Sequence, residues 1–431
     1  MRNSKVVISV IFLLASFWYA DMRGQDVVSK WKQPIELSYQ IGLPDPFLKH
    51  DGSRIKCRNE WSVQRNFLKE MLEYYQYGVM PPIPDNFEVK ESLSEELYDG
   101  RAIRKLYVIT LNRNGRRLVF HFGLIKPPGN GPFPAIIKND RDVPDPLNHD
   151  NAELQFGSLG IPNEVLTEVL ERGYIYCAFN REDIATDIHG VLEENRENGV
   201  FPLYPEYSWG TIAAWAWGYK LIIEYFQELD FVDNQKIIAT GHSRGGKAAL
   251  CGGIYDERIA ITAPNSSGLG GTSSHYYDEL LLPGMHTMPP QSISMHLTSN
   301  PHWWSKEYYK LAGYESKAPF DAHFGKIIIA PRAFFNTHSY QDYHANPMGA
   351  WLTTAAAQKV YKWLGAENNI AMHFRTGGHS QNIIDWFALL DFCDLYFYNK
   401  QPSSMYNTRY DFSKVNPYPQ AIIPVKWDVP N

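Results

Sequence analysis

Lys236-Ile237-Ile238-Ala239-Thr240-Gly241-His242-Ser243-Arg244-Gly245-Gly246-Lys247-Ala248-Ala249-Leu250 is the stretch on which the reading of this chain turns. A short apolar run rich in β-branched residues ends in Gly-His-Ser-Arg-Gly, and a small-residue helical pattern follows at once. Strand, sharp turn and helix in that order are the context of a nucleophile elbow, the G-x-S-x-G turn that lifts a serine clear of a sheet. Glycines flanking the serine let helix and strand pass close together. The serine hydroxyl then stands near the amino end of a helix, whose unpaired N–H groups favour developing negative charge.

Outward from the elbow, the chain alternates strands and helices. Residues Lys105 to Leu111 and Arg117 to Pro127 read as strands joined by Asn114-Gly115, a strong hairpin signal. Pro134 to Lys138 and Gly173 to Phe179 follow as strands, with Val165 to Glu171 a helix between them. Thr211 to Phe226 is a long apolar helix leading into the elbow strand. Beyond the elbow, Arg258 to Ala263 and Lys326 to Phe335 are expected strands. Met348 to Leu364 is a helix, Ile370 to Phe374 a last strand, and Ile383 to Tyr398 a closing helix. An antiparallel hairpin followed by βαβ units implies a mostly parallel central sheet with helices on both faces, the α/β-hydrolase fold. Ahead of the hairpin, apolar positions at helical spacing from Asn59 to Tyr77 give one more amphipathic helix, ended by Gly78 and the Pro81-Pro82-Ile83-Pro84 run.

Composition sets the bounds. The 431 residues are 44% apolar and 20% charged, an ordinary globular balance, and the net charge of −6 argues against a nucleic-acid surface. The 12 tryptophans and 27 tyrosines suit sugar rings as well as a core. Arg2 and Lys5 before the apolar run Val6 to Phe17 read as a secretory leader, too short for a comfortable membrane span. Cleavage near Ala20 or Gln25 would leave residues 26–431 as a single catalytic domain, secreted or periplasmic, monomeric and without a membrane attachment. Cys57, Cys177, Cys251 and Cys393 are scattered, so neither a zinc motif nor a disulfide framework is expected; no metal or cofactor is called for.

A serine nucleophile needs a base and an acid, and in this fold the chain order is Ser, acid, His. Ligands and catalytic groups gather at the carboxyl ends of parallel strands. Asp342 lies beyond the strand ending near Phe335, and Thr376-Gly377-Gly378-His379-Ser380 follows the last strand. Ser243, Asp342 and His379 therefore fall in the required order at the required ends. Asp321 is the substitute acid, and His338, His344 and His373 are the lesser alternatives to His379. The backbone N–H of Arg244 would supply one oxyanion donor, and the loop from Asn139 to Arg141 a second.

Gly241-His242-Ser243-Arg244-Gly245-Gly246-Lys247 resembles the G-C-S-R-x-G-K signature of glucuronoyl esterases, carbohydrate esterase family 15, with histidine in place of cysteine. The likeness extends over most of the chain, through Leu43-Pro44-Asp45-Pro46-Phe47, Trp209-Gly210-Thr211-Ile212-Ala213-Ala214-Trp215-Ala216-Trp217-Gly218, Asn265-Ser266-Ser267-Gly268-Leu269-Gly270-Gly271, Pro301-His302-Trp303-Trp304, and Pro319-Phe320-Asp321-Ala322-His323 with Ala330-Pro331-Arg332. The resemblance implies cleavage of glucuronic acid esters carried on xylan, including those to lignin alcohols. It implies Ser243 as nucleophile, His379 as base, the Arg244 side chain in the oxyanion hole and Lys247 on the uronate hydroxyls. Three departures stand out: Ser266 where some members carry the catalytic glutamate, His344 where many bacterial members carry a sugar-stacking tryptophan, and His242 itself. Another carbohydrate ester such as acetylated xylan, or an inactive carbohydrate-binding protein, are the competing readings.

Overall fold

The computed structural model describes residues 30–140, 159–275, 277, 290–402 and 424–430. The expected leader and Arg141 lie outside these residues. Among the described residues, nine strands form one sheet in the order β1-β2-β3-β5-β4-β6-β7-β8-β9. The strands are β1 Glu88–Leu97, β2 Ala102–Arg113, β3 Arg116–Lys126, β4 Phe133–Asp140, β5 Ile175–Asn180, β6 Val232–His242, β7 Ile259–Asn265, β8 Ala333–Ser339 and β9 Ile370–Arg375. Pairing is antiparallel from β1 through β3 to β5 and parallel from β5 through β9. The expected architecture, hairpin included, is the observed one.

Among the described residues, seven helices of eight residues or more pack around the sheet: α1 Trp61–Leu72, α2 Asn163–Glu171, α3 Thr211–Phe226, α4 Arg244–Tyr255, α5 Ala322–Ile329, α6 Pro347–Trp363 and α7 Ile383–Tyr398. Successive strand side chains point to opposite faces. In β6, Ile237 and Ala239 join a large core with α1, α3, α4, α5 and α6, while Ile238 joins a smaller core with α2 and α7. Burial on both faces explains why the parallel strands read as continuous apolar runs instead of alternating ones. Among the described residues no helix is long and apolar enough to cross a membrane.

Two elements differ from expectation. β1 was not anticipated: it is an edge strand with no buried residue, and its charged sequence Glu88-Val89-Lys90-Glu91-Ser92 carries no core signal. Such charge is a common guard on a sheet edge. The strand expected over Lys326 to Phe335 is two elements. Lys326-Ile327-Ile328-Ile329 closes α5, and only Ala333–Ser339 is a strand. Asp321 starts α5 by accepting the Ala322 N–H at 2.7 Å. Lys326 is drawn into the interior, where its ammonium donates to Thr272 O, Ala350 O, Thr353 Oγ1 and Thr354 Oγ1 at 2.7–3.1 Å. All eight helix residues are buried, so β-branched content could not reveal the helical period.

Candidate active site

Ser243 sits between β6 and α4 with φ 55° and ψ −121°, a backbone conformation that L residues rarely adopt. Two contacts hold it there. Its N–H donates to Asn265 O at 2.9 Å, and its carbonyl accepts the Lys247 N–H at 3.1 Å. The packing around it leaves no room for side chains at the neighbouring glycines. A Cβ on Gly245 would lie 2.7 Å from Asn139 Oδ1, and one on Gly246 would lie 2.8 Å from Ser267 Cβ. The elbow is therefore a fit between α4, β7 and the end of β4.

From this turn a continuous relay runs outward. Ser243 Oγ is 2.8 Å from His379 Nε2, and His379 Nδ1 is 2.7 Å from Asp342 Oδ2. The acid follows β8, the histidine follows β9 and the serine follows β6, so neighbouring strand ends bring together residues up to 136 positions apart. The Asp342 side chain is only 2% exposed, while that of His379 is 38% exposed. Burial alone would raise the Asp342 carboxyl. The hydrogen bond and charge of His379, with His338 behind them, reverse that and hold it below its ordinary value. The geometry can draw a proton from the serine onto Nε2 while the carboxylate holds Nδ1–H, the chemistry of acyl transfer.

Against this geometry, a family profile described as "Glucuronyl esterase, fungi" matches residues 109–365, more than half of the chain. The chain belongs to the glucuronoyl esterase family. It is 26% identical to the carbohydrate esterase MZ0003 of an unknown prokaryotic organism over 90% of this chain and 97% of that one. It is 27% identical to the 4-O-methyl-glucuronoyl methylesterase of Thermothelomyces thermophilus, over 78% of this chain and 76% of that one. The solved structure of a carbohydrate esterase family 15 glucuronoyl esterase from Caldicellulosiruptor kristjansonii aligns with a TM-score of 0.72 and 26% identity, covering 92% of this chain and 99% of that chain. Glucuronoyl esterases are carboxylic ester hydrolases, and this chain is one of them.

The glucuronoyl esterase residues expected around the triad take up more varied positions. Arg244 opens α4 and ion-pairs through Nη1 with Asp187 Oδ2, its guanidinium carbon 5.1 Å from the Trp303 ring centroid. Its backbone N–H is at the first helical position, where the helix supplies no partner. Lys247 is not an open donor. It is 1% exposed, and its three N–H groups are matched by Ser267 O at 2.5 Å, Leu269 O at 2.6 Å and Gln291 Oε1 at 3.1 Å. Burial, then the nearby charge of Arg244, pushes its ammonium well below the usual lysine range. His344 is half-buried on the turn Tyr343–Ala345, and its carbonyl accepts the Gln291 N–H at 3.1 Å. Gln291 thus links the two, its side chain accepting from Lys247 and its backbone N–H donating to the His344 carbonyl.

Asn139 is corrected as an oxyanion donor. Its N–H donates to Tyr219 Oη at 3.2 Å, and its side chain bonds Tyr219 Oη at 2.5 Å and Gly245 O at 2.8 Å, so it braces the elbow instead. The substitute acid Asp321 is committed elsewhere, to Ser274 Oγ at 2.5 Å and His275 Nδ1 at 2.8 Å. His338 is fully buried behind Asp342, and burial pushes its imidazole down to about 4.

His242 was marked in the sequence only as a departure, and two further supports, Asp187 and Arg375, were missed. His242, in the position of the family cysteine, lies 4.5 Å from His379 between ring centroids, and its Nδ1 is 2.6 Å from Asn265 Oδ1. Burial, then the charge of His379, pushes its imidazole down to about 4, so it stays neutral beside the base at ordinary pH. The Asp187 carboxylate, buried after β5, ion-pairs with Arg244. Arg375, at the end of β9, frames the loop bearing His379. It donates to Asp385 Oδ2 at 2.6 Å, Thr376 O at 3.0 Å, Gly378 O at 3.3 Å, Ser380 Oγ at 3.1 Å and Ser380 O. Arg375 and Asp385 side chains are 2% and 0% exposed. Arg375→Met is expected to strand the Asp385 charge and lower stability by about 3–5 kcal/mol. Urea unfolding would register it, and kcat of any folded fraction would fall as the loop loses its frame.

Proposed function

We propose that this chain cleaves esters of glucuronic acid and its 4-O-methyl form, carried on plant-wall glucuronoxylan and linked to lignin alcohols, through an acyl-enzyme. Ser243 attacks the ester carbonyl, His379 takes its proton and returns it to the departing alcohol, and Asp342 fixes the tautomer that lets His379 do so. The Arg244 backbone N–H and side chain face the developing oxyanion, and His344 borders the sugar subsite. Lys247 reaches uronate hydroxyls only where the substrate takes over the acceptor place of Gln291. The single observation that carries the reading is the unbroken Asp342–His379–Ser243 relay. The names borne by the fungal relatives supply the uronate ester, and the charged apolar leader expected at residues 1–25 supports an exported enzyme.

A hydrolysis panel tests it. Methyl and benzyl glucuronate should be cleaved with kcat/KM at least about tenfold above acetylated xylan and an aryl acetate, a difference of about 1.4 kcal/mol in transition-state binding. Acetyl release without uronate cleavage would overturn the substrate and favour the acetyl-ester reading. The closed donor set of Lys247 and the Ser266 and His344 departures are the observations on that side.

A further inference from the structure

We propose that Asp187 is a positioning residue for Arg244, holding its guanidinium in the geometry that meets the oxyanion; the inference rests on the role proposed above for Arg244. Asp187 lies in the segment after β5, far in sequence from the elbow, yet its buried carboxylate organises one side of it. Oδ2 pairs with Arg244 Nη1. Oδ1 accepts His302 Nε2 at 2.9 Å and Trp303 Nε1 at 2.8 Å. The Asp187 side chain is 2% exposed and that of Arg244 30% exposed, so the anchor is dry and the guanidinium it holds is reachable. Trp303 is used twice: its N–H fixes the carboxylate while its ring lies under the guanidinium it pairs with. Burial would raise the Asp187 carboxyl, but the His302 bond, the Arg244 charge and the Trp303 bond hold it well below the usual carboxylate range.

A long arginine side chain loses considerable rotamer freedom when it is held, and a guanidinium fixed beforehand makes its bond to the transition state without that loss. Nη1 is the atom spent on the anchor. The other N–H groups of Arg244 meet no protein acceptor among the described residues.

Charge and geometry make opposite demands here. A carboxylate beside an oxyanion-stabilising arginine weakens the positive field, so removing its charge would speed the reaction if the field alone mattered. If Asp187 acts by placement, removing the charge slows it. The test is a double-mutant cycle of Asp187→Asn, Arg244→Ala and both together, on whichever ester of the panel the wild-type enzyme cleaves. A wrong substrate assignment therefore leaves the cycle readable. Asp187→Asn is expected to lower kcat by about 10–100-fold with KM within about threefold, part of the roughly 10²–10³-fold a lost oxyanion donor costs. In the Arg244→Ala background it should cost no more than about twofold. Independent losses that multiply, an unchanged or raised kcat in Asp187→Asn, or a wild-type kcat in Arg244→Ala would each overturn the proposal. Only the last of these also removes Arg244 from the proposed mechanism. Should Asp187→Asn fail to fold, Asp187→Glu keeps the charge but displaces it by a methylene, and the same cycle with that variant gives the answer.

Discussion

Ser243→Ala is expected to lower kcat by roughly 10⁵–10⁶-fold with KM near that of wild type, and His379→Ala to cost nearly as much. The two losses should not add. Nε2 of His379 stands 2.8 Å from Ser243 Oγ, and neither group performs its step without the other. Without the imidazole the hydroxyl keeps its proton near its own high pKa, and without the hydroxyl the imidazole has nothing to activate. Combining them should leave the residual rate that binding and the oxyanion donors give alone. Steady-state kinetics of the two single variants and the double variant decide it. Losses that multiply, or a Ser243→Ala enzyme within about tenfold of wild type, would place the nucleophile elsewhere.

Asp342→Asn is the second large effect, expected at roughly 10⁴-fold in kcat with the fold retained. The carboxylate accepts from His379 Nδ1 at 2.7 Å and so leaves Nε2 free to accept the serine proton. An asparagine amide can donate to Nδ1 instead, which puts the imidazole proton on Nε2 and turns the base towards Ser243 already protonated. A pH–rate profile reads this directly, because the variant should lose the limb assigned to His379. The same carboxylate sets a stability trend. Its folded-state pKa lies below the value of about 3.9 for an unfolded chain, so its contribution is present above that pH and lost as acid protonates it. The wild-type protein should lose this part of its stability below about pH 4, and Asp342→Asn should lack that part of the slope. A loss in kcat under about tenfold would remove Asp342 as the acid.

The convergence of Ser243, Asp342 and His379 could be read from sequence because each sits just beyond a strand whose apolar run is visible, in the one order this fold uses. Ser243 had Gly241 and Gly245 beside it, and His379 had Gly377 and Gly378. Helices α3 and α7 were equally plain, with boundaries at Thr211–Phe226 and Ile383–Tyr398 as expected. What escaped has two physical causes. β1 is too exposed and α5 too buried for hydrophobic period to mark either one. Asp187 and Arg375 escaped, and Asn139 was given the wrong role, because their value is entirely in their contacts. Nothing near residue 187 in the chain announces that residues 244, 302 and 303 will converge on it. Lys247 shows the converse: a motif gives a residue's identity and address, while the acceptors that claim its protons come from loops the motif does not contain.

The unequal exposure of the relay has a consequence for traffic. Its inner end is sealed and its outer end, at His379, is exposed, so in the proposed mechanism the reacting carbonyl is met near the surface and not at the bottom of a shaft. A stiff polymer or a bulky aromatic alcohol can be brought alongside that surface without being threaded. In the proposed acyl-enzyme mechanism, the water that releases the acid arrives by the same open side.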